Sequence, residues 1–190
     1  TYMLMRYGLT QFKNLNFVPG MIVVGSFVVP FSVVVLFFEM NAPRNVSVYQ
    51  VGKMLMLGGA LSLIVTMFVF ELIPGSGTGA LIPALLTGFC EETGKGLALL
   101  IVAYSIRYGW QLNGLLFGAA VGAGFAGFES AGYAFRYLLK DPLDAALEVI
   151  WLRGILAPGG HVIWTAMVGS AIWKVKGQRP FAIGMLFDRV

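Results

Sequence analysis

Apolar residues along this chain fall into long runs of roughly 20, separated by short polar segments. Runs of that length match helices that cross a bilayer rather than the shorter strands of a membrane barrel. The first, "FVPGMIVVGSFVVPFSVVVLFFE" at 17–39, is long enough to span, with Pro30 kinking the helix rather than ending it. After a loop at 40–52, a second run covers 54–73, where Gly58 and Gly59 allow close helix approach. "PGSGTG", 74–79, is turn material. A third run covers about 80–105. The fourth, 112–135, places Gly114, Gly118 and Gly122 every fourth residue, a stripe of small residues on one helix face. The last, 145–173, is interrupted by Pro158, Gly159 and Gly160, and reads either as one broken span or as two short, partly re-entrant segments. The pattern predicts an all-α, polytopic membrane helix bundle with about five to seven membrane segments, one broken at Pro158–Gly160. Residues 1–190 form a single membrane-embedded domain.

Composition agrees with the pattern. Of the residues, 58% are hydrophobic and 12% charged, where a soluble domain carries about a quarter as charges, and mean hydropathy is +0.81. The formal charge of +4 comes from Lys and Arg between apolar runs, which act as topology signal and headgroup contact. No basic run interleaved with aromatics supports nucleic-acid binding. With one span at 145–173, Arg44, Lys53, Arg107, Lys174, Lys176 and Arg179 share a side, opposing Arg6, Lys13, Arg136 and Lys140. With two spans the 174–179 cluster crosses over, and this arrangement, with a cytoplasmic N-terminus, is the one expected. Thr1 in place of Met, and an end at Val190 inside an apolar stretch, lead us to expect an omitted N-terminal piece and an incomplete C-terminus. No cleavable secretory signal is recognisable. The glycines between 118 and 127 lie inside an apolar helix, not after a strand, so they are packing residues rather than a dinucleotide loop.

Charges inside such runs change the picture. "GFCEETGKG" puts Glu91, Glu92 and Lys95 in the middle of the third run, where an ionisable group costs on the order of 3 kcal/mol. Lys95 lies four residues after Glu91 and three after Glu92, so one lysine can serve both carboxylates. With Glu129 on the fourth run there are three acids for this lysine, more than pairing alone needs. Two crowded carboxylates do not both ionise comfortably, and an acid that keeps its proton beside an ionised one suits general acid and base work. Phe125 stacks one turn from Glu129. His161, the only histidine, leads the segment after the Pro-Gly-Gly break, with Trp164, Thr165 and Gly169 on its face. Arg153 pairs with Glu148 or Glu129, or reaches for the interface. Cys90, the only cysteine, precludes an intrachain disulfide; it points about 100° away from Glu91 on a helix, and an acidic neighbourhood suppresses a thiolate.

Three patterns occur in order: "EETGK" (Glu91, Glu92, Lys95), "FAGFE" (Phe125, Glu129) and "PGGHVIWTAMVG" led by His161. Together they resemble the PrsW family of intramembrane proteases, over roughly residues 54–175, within a larger group that includes the prenyl-protein CAAX endopeptidases. The resemblance implies a membrane endopeptidase in a bacterial plasma membrane that hydrolyses a membrane-anchored protein with glutamate-activated water. It implies Glu91 or Glu92 as general base, Glu129 and His161 as groups that orient water or stabilise the oxyanion, and Lys95 as the group setting the charge of the acid pair. Phe125 and Arg153 are supporting residues. Catalysis is either metal-free or assisted by a divalent metal such as zinc, whose ligands would be Glu92, Glu129 and His161. The family also carries a later histidine motif, and this chain has no histidine after His161. The alternative is therefore a non-catalytic PrsW-like subunit packed among partner membrane subunits. An ion or proton pathway on the same acids is a third reading.

Overall fold

A computed structural model describes residues 1–72, 81–104, 108–140 and 143–186. The turn expected at 74–79, the ends of the second and third apolar runs, and Arg107 lie outside the described residues. Six helices account for the fold: α1 (Tyr2–Phe12), α2 (Phe17–Met40), α3 (Val48–Leu72), α4 (Leu81–Ala103), α5 (Gln111–Lys140) and α6 (Leu143–Lys176), with a short 3-10 turn at Ile183–Leu186. Among the described residues there is no strand. α2, α3, α5 and α6 are each long and apolar enough to cross a membrane. α4, at 23 residues, is also long enough, but its apolar character is interrupted by Glu91, Glu92 and Lys95.

α3 starts six residues earlier than the apolar run. Ser47 caps it, its Oγ accepting from the Gln50 amide at 3.1 Å, and satisfying an otherwise orphaned donor in the first turn. A π-helical turn, Met54–Gly58, follows. α2 runs through Pro30, as expected.

The expected break at Pro158–Gly160 is absent: α6 is helical throughout its 34 residues. Proline removes only its own donor and crowds the carbonyl four residues back, which here belongs to Gly154. Breaking the helix outright would expose several more backbone groups to hydrocarbon, where nothing else satisfies them. Gly159 and Gly160 meet no neighbouring atoms at their Cβ positions, so no packing contact pulls the chain apart there. The expectation of two short segments falls with the break, and so does the orientation built upon it.

The ends of the bundle are marked by contacts. At one end, Asn113 at the start of α5 donates from Nδ2 to Asn45 Oδ1 (2.7 Å) and Asn41 Oδ1 (3.3 Å), beyond the last turn of α2, and Trp173 near the end of α6 donates to the Tyr108 carbonyl at 2.8 Å. At the other, Leu9, Val18, Met21, Ala134, Leu147 and Ile150 form a separate apolar cluster. Arg44, Lys53, Lys174, Lys176 and Arg179 therefore share the asparagine end, and Arg6, Lys13, Arg136 and Lys140 the opposite one. Because Asn113 and Asn41 are both buried, Asn113→Ala strands the amide of Asn41. It is expected to cost about 1–2 kcal/mol, read as a lower melting temperature in detergent with the helix content intact.

α5 is the central post. In its apolar window 78% of residues are buried, against 22–33% for the other three candidate spans, whose outer faces carry exposed side chains such as Phe31, Phe68 and Trp151. The small stripe sets its closest crossing: Cβ atoms at Gly114, Gly118 and Gly122 would strike the carbonyl oxygens of Gly169, Thr165 and His161 on α6. Backbones this close bring side chains from both helices into one polar centre.

Candidate active site

α4 contributes Glu91, Glu92 and Lys95, α5 contributes Phe125 and Glu129, and α6 contributes Arg153 and His161. Lys95 is fully buried. Its Nζ donates to Glu92 Oε1 at 2.5 Å, lies 3.0 Å from His161 Nδ1, and sits 4.6 Å from the centroid of the Phe125 ring. An ammonium has no lone pair, so His161 Nδ1 accepts from it and the ring proton belongs on Nε2. That proton faces Glu129 Oε2 at 3.2 Å. Glu129 is held from its other side by the Arg153 guanidinium, Nη2 to Oε2 at 2.5 Å. Arg153 thus pairs with Glu129 rather than Glu148, and its guanidinium covers the Tyr133 ring at 4.2 Å. Phe125 stacks against His161 with ring centroids 5.2 Å apart, so it seats both the lysine and the imidazole.

The two adjacent glutamates part company. Glu91 turns inward, its Oε2 3.9 Å from His161 Nδ1, and is 15% exposed; Glu92 turns outward along Lys95 and is 44% exposed. What selects the inward one is the rotation of α4. Gly94 presses against Thr66 and the Ser62 carbonyl of α3, which fixes one face of α4 to α3 and leaves the Glu91–Lys95 face toward α5 and α6. Cys90 is buried and touches none of these groups through any hydrogen bond or ion pair described above.

Ligand atoms of Glu91, Glu129 and His161 lie within 4.8 Å of one another. Two carboxylates and one imidazole suit a divalent metal with an open fourth position, and donors bound to one zinc ion stand about 3.4 Å apart, so the set fits after a small contraction in which one ring nitrogen of His161 exchanges its bond to Lys95 or its Nε2 proton for the ion. The carboxylate completing this group is Glu91; Glu92, which the sequence reading put in the ligand set, lies outside it.

One participant is absent from the residues the sequence singles out: Tyr133 follows Glu129 by four residues, a legible spacing, but its role depends on Arg153 arriving from α6. Thr165, expected on the histidine face, acts locally, its Oγ1 donating to the His161 carbonyl at 2.6 Å.

A family model described as PrsW family intramembrane metalloprotease matches residues 47–187. A relative from Halalkalibacterium halodurans, described as Protease PrsW, is 28% identical over 93 residues, which are 48% of this chain and 40% of the relative. The match thus spans well under half of that protein's length. No solved structure matches the chain.

Proposed function

The chain belongs to the PrsW family of intramembrane metalloproteases, and from that premise we propose that it hydrolyses a peptide bond of a membrane-anchored protein at the Glu91–Glu129–His161 centre. The observation that carries the proposal is the convergence of these three groups, from three helices, within 4.8 Å inside the bundle. A scaffold with no chemistry to perform does not need an acid, an imidazole and a second acid brought together at the cost of burying them.

In this reading Glu91 takes a proton from water, and the resulting hydroxide attacks the scissile carbonyl carbon. His161, its tautomer fixed between Lys95 and Glu129, positions Glu129, whose oxygen Oε2 it holds together with Arg153 and whose other oxygen orients the water. The buried ammonium of Lys95 and the guanidinium of Arg153 supply the positive field that stabilises the oxyanion as it forms. Glu91 then returns the proton to the departing amine as the C–N bond breaks, and the acid and amine so formed ionise to a carboxylate and an ammonium. A divalent metal, were it held by Glu91, Glu129 and His161, would supply Lewis acidity and acidify the attacking water, with Glu91 then serving as ligand rather than free base. Glu92 acts at one remove, by holding Lys95 in place.

We further propose that α4 spans the bilayer together with α2, α3, α5 and α6. It joins the end of α3 to the start of α5, which lie at opposite ends of the bundle. The membrane is a bacterial plasma membrane, on the strength of the bacterial relative, and the more basic asparagine end faces the cytoplasm by the positive-inside rule.

The test is fragment release from a reporter with a single apolar span, co-reconstituted with the purified protein in liposomes and mapped by mass spectrometry. A cut within or beside the apolar span is expected, with Glu92→Gln slowing it about tenfold, the effect of loosening a neighbour rather than removing a base. Failure of the wild type to release any fragment would refute the reading. Complete loss in Glu92→Gln would move the base from Glu91 to Glu92.

A further inference from the structure

The face of α5 that carries Glu129 continues past it toward the helix end. Tyr133, Arg136, Tyr137 and Lys140 follow at four, seven, eight and eleven residues, spacings that keep them on one face. These four line a single recess of about 410 Å³. It holds two cations and two phenols, and no carboxylate lines it among the described residues. All four side chains are solvent-exposed. The recess is joined to the catalytic centre, because Arg153 bonds Glu129 and covers the ring of Tyr133. Along the helix it begins about 6 Å and ends about 17 Å from Glu129.

We propose that Tyr133, Arg136, Tyr137 and Lys140 form a recognition subsite for an acidic stretch of the substrate polypeptide just outside its apolar span. The proposal rests on the protease reading above: a substrate whose scissile bond lies at Glu129 and which leaves along α5 crosses the recess within a few residues. Its charge selects for Asp and Glu, and it rejects Lys and Arg by repulsion as much as it attracts acids. The tyrosines offer amphipathic surface suited to a chain passing from hydrocarbon to water. Anionic headgroups share the chemistry of the acidic segment. They reach the whole circumference of the bundle, however, whereas this recess adjoins the catalytic centre, Tyr133 lying under the Arg153 guanidinium that bonds Glu129, and that adjacency favours a substrate chain.

The experiment measures binding, so it is independent of whether any reporter is cut. Two fluorescent peptides share one apolar span and carry, at both ends, either an Asp-Glu flank or a Lys flank. Each is titrated against the full chain with Glu91→Gln, in nanodiscs of neutral phosphatidylcholine and in discs containing phosphatidylglycerol. The acidic-flank peptide is expected to bind about tenfold more tightly in the neutral discs, an effect of two interfacial charges. The order reverses with Arg136→Glu/Lys140→Glu, and the preference vanishes without reversing with Arg136→Gln/Lys140→Gln. Equal binding of the two peptides, or a preference that survives charge reversal, overturns the subsite. Equal binding of the two peptides in neutral discs, together with retention of phosphatidylglycerol that is lost in Arg136→Glu/Lys140→Glu, assigns the recess to lipid and overturns the subsite as well.

Discussion

Glu91→Gln is expected to lower the cleavage rate about 10³-fold, within the range attributed to a positioned general base, while the melting temperature stays the same or rises. The substitution is nearly isosteric, and Glu91 is free of the tight ion pairs that hold its neighbours: its contact with the His161 ring is a loose 3.9 Å to Nδ1, whereas Glu92 and Glu129 each touch a cation at 2.5 Å. A neutral amide there relieves a carboxylate of its poor solvation without leaving a cation unpaired, and sites that act on substrate are where activity and stability trade against each other. Rate measured on the liposome reporter and unfolding followed by circular dichroism separate the two effects. A parallel fall in both would make Glu91 a structural acid.

Gly124→Ala is expected to be the most damaging single-methyl addition in the bundle. A Cβ there would overlap the Leu55 carbonyl oxygen and lie 2.9 Å from the Cα of Gly59, and both neighbours are backbone that cannot rotate aside. Leu55 lies in the π-helical turn of α3, so relieving the clash means pushing α3 off the central post, and α4 packs on α3. Overpacking of this kind costs about 1–3 kcal/mol in soluble cores; the upper end is expected here because backbone meets backbone. Gly132→Ala, eight residues on, meets nothing within 4 Å and is expected to stabilise the helix by about 0.5–1 kcal/mol. The pair of variants, compared by thermal unfolding in detergent, distinguishes crowding from helix propensity. A Gly124→Ala protein as stable as wild type would contradict the close crossing.

How much of this was legible in the sequence differs from residue to residue. The membrane helices follow from run length, and the tight α5–α6 crossing follows from Gly114, Gly118 and Gly122 recurring at every fourth position. The relation of Lys95 to both glutamates follows from helical spacing. Spacing cannot say which glutamate faces inward, because both are within reach of Lys95 and the choice is made by Gly94 seating α4 on Thr66 of α3, a contact between distant parts of the chain. Pro158 with two glycines was misleading for a related reason. In water that triplet ends helices, whereas in hydrocarbon the unmet backbone groups outweigh one missing donor. The partner of Arg153 was open between Glu148, on its own helix, and Glu129, and only the packing of α5 against α6 decides for Glu129.

Glu129 lies eighteen residues from Gln111 and eleven from Lys140 on α5, or about 27 Å from one end of the central helix and about 17 Å from the other. A cut made at that depth divides an apolar span of about 20 residues unevenly. The longer part keeps enough hydrocarbon contact to stay in the bilayer. The shorter retains too few apolar residues to remain anchored and dissolves into the water on its own side. On the proposed reading, the position of one carboxylate along one helix decides which half of a cut substrate leaves the bilayer and which stays in it.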